Sequence, residues 1–113
     1  MKFIKQQFFE LECSHLNANN RLDNNIILDL LDDNFKEIGK SGRVIYKNDI
    51  ENSTLHTFEY QISDFVTDKI QKGIVLVTYK LFNETDNVLT NRSTLWIRKN
   101  NQWKMRFHQG TII

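Results

Sequence analysis

Proline is absent from this 113-residue sequence, cysteine occurs once and glycine only four times. Without proline there is no polyproline segment and no stiff proline-rich linker. A single cysteine, Cys13, rules out an internal disulfide and suits a reducing compartment; its expected part is that of a small residue on a helix. No apolar run approaches the roughly 20 residues that a membrane helix needs. The opening stretch MKFIKQQFFELE turns polar and acidic at once and lacks a signal peptide's apolar core, so a cytoplasmic location is expected. Charge of neither sign dominates: 15 Lys and Arg stand against 14 Asp and Glu, with the basic residues scattered. No basic stripe offers itself to nucleic acid. What is present, 40% hydrophobic and 26% charged residues without repeats or low-complexity segments, fits one globular domain over residues 1–113.

Periodicity divides the chain in two. Phe3, Ile4, Phe8, Leu11 and Cys13 recur at helical spacing. After an Asn-rich break at 17–20, Ile26, Ile27, Leu30 and Leu31 mark a second short helix with Asp23 as its N-cap and the Asp32-Asp33 pair as a solvated turn at its end. From Asn34 the period becomes two. NFKEIG reads as a short strand with Phe35 and Glu37 on one face, KSG as a turn and RVIY as a second strand. KNDIENSTL reads as a brief helix capped by Asn48. Four longer strands follow, broken at Lys72-Gly73, at NETDN and at Asn100-Asn101, where asparagine tolerates the positive φ of tight hairpins. Helices first and a strand meander afterwards predict an α+β fold, with helices on one face of a curved antiparallel sheet.

A resemblance supports this. Leu11-Glu12, Arg21, Leu30-Leu31 and the stretch FKEIGKSGRV, then Val77-Thr78-Tyr79, Arg92-Ser93, Leu95-Trp96, Trp103 and the FHQGT ending resemble, in order and spacing, the domain-of-unknown-function family 4440. That family is part of the nuclear-transport-factor-2-like superfamily, alongside ketosteroid isomerase and the SnoaL polyketide cyclases. The resemblance implies a cone of helices closing over a curved sheet, a pocket inside it, and a homodimer formed through the outer sheet face. It implies no particular reaction, because this superfold hosts many chemistries; the Asp and Tyr of the ketosteroid isomerases have no motif counterpart here.

Within such a cone a few polar groups in an apolar cavity would do the work. Glu37, sharing a face with Phe35, is either a pocket base or the partner of Arg43 or Arg21. His108 is either an acid–base residue or a structural hydrogen-bonding group near the terminus. A regular register about Asn100-Asn101 pairs 97 with 104, 95 with 106 and 93 with 108. This places His108 on the outer face with Ser93, Leu95 and Ile97, while Met105, Phe107 and Gln109 join Arg92, Thr94 and Trp96 inside. Arg92, Trp96, Tyr46 and Gln109 are the ligand-contact candidates, an arginine beside a tryptophan being suited to a carboxylate or a planar ring; the aromatics can equally be core. His15, His56 and His108 fall on separate elements with no metal-ligand spacing, GKSG lacks the frame of a phosphate loop, and no GxSxG elbow is present. The expectation is a small-molecule ligand without cofactor or metal, in a homodimer. The alternatives are an isomerase- or cyclase-like proton-transfer enzyme, or a noncatalytic interaction or immunity-type module.

Overall fold

The structure is a computed structural model that describes residues 2–113, with side chains from Ile4 onward. The expected place of the Phe3 side chain on the apolar stripe therefore lies outside what the structure describes. Helix α1 (Lys2–Leu16) buries Phe8, Glu12, His15 and Leu16, while Ile4, Leu11 and Cys13 flank that stripe half-buried. Asn17 ends it and starts another helix: its side-chain oxygen accepts from the amides of Asn19 (2.8 Å) and Asn20 (3.2 Å). The Asn-rich break is thus a one-turn helix, α2 (Ala18–Arg21). Helix α3 (Asn24–Leu30) starts where expected, the Asp23 carboxylate accepting from the Asn25 amide at 3.0 Å, and it buries Ile27.

Leu31 and the two aspartates depart from expectation. They open strand β1 (Leu31–Ile38) instead of closing a helix. Asp32 is only 2% exposed, accepting from the Asn34 amide at 2.9 Å and pairing with Lys99 at 2.7 Å; Asp33 alone is solvated, 3.3 Å from Lys47. Gly42 takes φ +88° in the turn to β2 (Val44–Tyr46). The next helix, α4 (Lys47–Glu51), is capped at Tyr46 and not at Asn48, since Asp49 reaches back to the Tyr46 amide at 2.8 Å.

Strands β3 (Tyr60–Gln71), β4 (Ile74–Asn83), β5 (Val88–Lys99) and β6 (Gln102–Ile112) form the meander. Asn100 and Asn101 occupy φ +50° and +63°, as the tight β5–β6 turn requires. The six strands run in the order β2-β1-β6-β5-β4-β3, all antiparallel except the β1–β6 pair, which is parallel, so the sheet is mixed. Its inner face, carrying Val75, Val77, Tyr79, Leu81, Thr94 and Trp96, packs against the helices. Phe8 lies between Trp96 and Trp103, at centroid distances of 6.2 and 4.9 Å, and Phe9 meets Phe65 at 5.1 Å. No described helix is long and apolar enough to cross a membrane.

One bulge reassigns the site. Ile97 pairs with Lys104 and Trp96 with Met105, as a regular hairpin requires, but Leu95 then pairs with Phe107 and Thr94 with His108. Arg106 is the extra residue. Beyond it every β6 side chain changes face. His108, expected outside, turns inward beside Thr94, and Phe107 and Gln109, expected inside, turn outward opposite Leu95 and Ser93.

Candidate functional site

Three inward positions of β5 descend through the cone: Trp96, Thr94 and Arg92. Opposite them α1 presents Phe8, Glu12 and His15. At the first level the space is filled. At the second, Glu12 is fully buried and accepts hydrogen bonds from the Tyr79 hydroxyl (2.8 Å) and the Trp96 indole (2.9 Å). The Thr94 hydroxyl also faces this carboxylate. Burial pushes the Glu12 carboxyl up from its ordinary range; the nearby Thr94 hydroxyl, the hydrogen bonds from Tyr79 and Trp96 and the charge of Arg92 pull against that rise. Tyr79, buried beside it, is held well above the usual phenol range.

At the third level the cone opens into a cavity of about 400 Å³ bordered by His15, Arg21, Glu37, Arg92 and His108. A second cavity of about 280 Å³, under α4, shares His15, Arg21 and Glu37 with it. The larger falls within the usual size of small-molecule sites. Thr94 Oγ1 and His108 Nδ1 are 2.7 Å apart, and the His15 and His108 ring centroids 5.7 Å. His15 Nδ1 and His108 Nε2 are buried without a hydrogen-bond partner among the described residues. Both imidazoles are neutral at pH 7. Burial, then Arg21 and Arg92, push His15 down to about 3; burial, Arg92, His15 and Arg21 hold His108 well below its ordinary value.

The arginines are held at one end and open at the other. Arg92 Nε donates to Thr90 Oγ1 at 3.0 Å, its only hydrogen bond among the described residues. Arg21 donates to the carbonyls of His56 (2.6 Å) and His15 (3.0 Å) and lies over the Phe58 ring at 5.9 Å. Glu37 faces the same space. Burial raises its carboxyl and the charges of Arg92 and Arg21 oppose the rise, yet the three ion pairs among the described residues use other carboxylates.

Of the six residues proposed from sequence, the fold therefore brings Glu37, His108, Arg92 and Trp96 into the cone. Trp96 is sealed beneath the cavity as Glu12's partner. Tyr46 is 50% exposed on the outer surface, bordering a depression beside α4, and Gln109 borders another on the outer sheet face. Those depressions gather no buried polar groups, which is why the cone is the stronger candidate. The residues that sequence reasoning passed over are Glu12, His15 and Thr94. A signal for Glu12 existed, since Phe8, Glu12 and Leu16 are spaced four apart and so share one helix face. His56 also reaches the cavity, although among the described residues no three His, Cys, Asp or Glu are grouped to hold a metal ion. Cys13 is half-buried, its thiol raised by burial, as befits a packing residue.

Neither a protein-family model nor a curated protein matches the sequence; the narrower kinship with family 4440 thus gains no support. Solved structures do match. A nuclear-transport-factor-2-like protein from Cytophaga hutchinsonii superposes with a TM-score of 0.80 at 20% identity, covering 96% of this chain and 97% of that one. The fold is that of the nuclear-transport-factor-2-like proteins. A ketosteroid-isomerase-like protein from Parabacteroides distasonis matches this NTF2-like chain with a TM-score of 0.80 at 17% identity, over 97% of it and 88% of the other. A hexachlorocyclohexane dehydrochlorinase from Novosphingobium barchaimii matches at 0.72 and 10% identity, over 93% and 83%. Identities this low establish the NTF2-like fold, which hosts catalysts of different chemistry.

Proposed function

We propose that this NTF2-like domain binds a small organic anion, a carboxylate foremost, in its cone. The supporting observation is the cavity of about 400 Å³ into which Arg21, Arg92, Arg43 and Lys40 bring positive charge against the single carboxylate of Glu37. The free fork of Arg92 suits the two oxygens of a carboxylate, and the surrounding burial strengthens such a pair relative to water. The neutral imidazoles beside it add neutral polar contacts.

Calorimetric titration with small aliphatic and aromatic carboxylic acids tests the reading. Arg92→Met should weaken binding by about tenfold or more, the worth of a hydrogen bond to a charged group. Equal affinities in the two proteins would remove the anion reading.

The domain works in the cytoplasm as a homodimer on this reading. Ile74, Leu76, Leu95, Ile97 and Phe107 share the outer sheet face and are half-buried in the single chain, a surface suited to a second copy. Sedimentation should find a dimer, and Leu95→Glu a monomer with its fold intact; a monomeric parent protein at tens of micromolar would dismiss the pairing.

A further inference from the structure

The two cavities of the cone adjoin, sharing His15, Arg21, Glu37, Arg43, Ile45 and His56. What each adds to that junction differs in kind. The larger adds two positive charges, Arg92 and Lys40, and the imidazole of His108. The smaller, about 280 Å³, adds Ile27, Leu31, Phe35, Ile50 and Leu55. Its other additions, Asp49, Ser53 and Thr54, are all exposed, so they stand at its mouth and not in its depth. Two of these are already engaged: Asp49 accepts from the Tyr46 amide at 2.8 Å, and Ser53 donates to the Ile50 carbonyl at 3.2 Å. We propose that the ligand is a monocarboxylate with one apolar tail, an aryl-alkanoic or medium-chain alkanoic acid, its head on Arg92 and its tail in the chamber under α4. This rests on the anion-binding reading and names its ligand class.

The head end is held in place by recorded contacts. Arg92 lies against the backbone of Gly110, its partner in the β5–β6 register, where a Cβ would stand 3.7 Å from its Nε and 3.9 Å from its Cζ. Glycine leaves the arginine that close approach. Arg92 Nε donates to Thr90 Oγ1 at 3.0 Å, and the buried Thr90 hydroxyl donates its one proton onward to the Leu81 carbonyl at 3.3 Å. With the stem and Nε fixed, the two terminal nitrogens remain for the two oxygens of one carboxylate.

The tail end is preformed. Asn24 Nδ2 donates to the carbonyls of Ile50 (3.1 Å) and Ser53 (2.6 Å), and Arg21 Nε donates to that of His56. These bonds pin α4 and the segment after it to α2 and α3, so the wall does not fall inward and close the space. A cavity of about 150 Å³ lined by Leu, Ile and Phe stays dry and takes benzene. At about 280 Å³ the chamber takes an aromatic ring on a short stem, or an alkyl chain of about eight carbons. A second charge at the end of the tail would lose its water among Ile27, Leu31 and Phe35, which disfavours a dicarboxylate.

Calorimetry with the straight-chain acids from butyrate to decanoate, and with 3-phenylpropionate, tests the pose. Affinity should rise about fourfold with each methylene buried and stop rising near octanoate. A flat series that keeps its dependence on Arg92 overturns the tail assignment and leaves the anion reading standing. Loss of the Arg92 dependence throughout rejects the anion reading, and the pose with it. Suberate, which is octanoate with a second carboxylate at the far end, should bind about tenfold weaker or worse. Equal affinities would put the tail's end in solvent and overturn the pose.

Two substitutions should move the length limit in opposite directions. Leu55→Ala, at a half-buried position on the connecting segment, deepens the chamber and should carry the limit toward decanoate. Ile50→Phe fills it and should draw the limit toward hexanoate. A limit that Leu55→Ala leaves unmoved overturns the assignment, whether or not Ile50→Phe folds. Intermolecular nuclear Overhauser effects from the terminal methyl of octanoate should reach Ile27 and Ile50. Contacts with Leu95 or Phe107 instead would place the tail on the outer sheet face and overturn the pose.

Discussion

The inside of the cone has a closed half and an open half, which share helix α1 and strands β5 and β6. In the closed half Phe8, Trp96 and Met105 leave no room, and the buried carboxyl of Glu12 meets donors from Tyr79 and Trp96. In the open half Arg92, Glu37, His15 and His108 surround empty space, with an unpartnered nitrogen on each histidine. A polar group inside a fold is thus no mark of a site by itself; what distinguishes the open half is hydrogen-bonding capacity left unused. Satisfied groups stabilise the cone, and on the anion-binding reading the unsatisfied ones are left for a ligand.

The closed half should carry the stability. Phe8→Ala should cost about 4 kcal/mol in urea unfolding, as for other buried aromatics; a loss under about 1 kcal/mol would show that half to be loosely packed. Glu12→Leu comes next, at about 3 kcal/mol, because the Trp96 and Tyr79 donors would be stranded in an apolar setting. A neutral result would mean that the carboxylate is dispensable to the fold.

Acid should act through the open half. His15 and His108 are depressed in the folded protein, so the unfolded chain binds more protons below pH 6.5. The stability they contribute is full above pH 6.5. It is lost as pH falls from there toward about 3 for His15, by up to about 1.4 kcal/mol per pH unit for each ring. Glu12 and Glu37 are raised and bend the curve the other way from pH 4.5 upward, to their raised folded values. The histidine share is therefore read as the flattening of the curve between pH 6.5 and 5 in His15→Gln with His108→Gln; an unchanged slope would mean that the rings are not buried neutral.

At the rim, Asp32 is lowered: burial raises its carboxyl, but Lys99, the Asn34 amide and Arg106 outweigh it. The stabilisation is present above the ordinary carboxylate value of 3.8 and disappears on acidification below it. Lys99→Met should cost about 1 kcal/mol at pH 7, discounted because the lysine is half-exposed, and progressively less as the pH falls below 3.8. The smallest change is expected for Arg92→Met, within about 0.5 kcal/mol in the free protein. A loss as large as that of Glu12→Leu would erase the distinction between the halves.

Much of this was readable along the chain. The Asp23 cap, the Asn100-Asn101 turn and the long strands are local matters, set by side chains reaching amides two or three residues away and by backbone preferences. Phe35 and Glu37 share the inward face because strand parity holds over two residues. Asp32 was misplaced because its partner, Lys99, lies far along the chain. Glu12 hid among hydrophobic neighbours because a carboxylate in a stripe has meaning only once Tyr79 and Trp96 are seen to meet it.

By itself, then, the sequence determined an α+β domain of helices followed by a strand meander, since periodicity, caps and turns act over a few residues. Only the tertiary structure decided which histidine faces the cavity. One extra residue at Arg106 inverts the parity of everything beyond it, and a bulge is chosen by the curvature the whole sheet needs to wrap the helices, which no local stretch specifies. The closing of β1 against β6 was decided the same way, and it sets His108 beside Glu37 in the register.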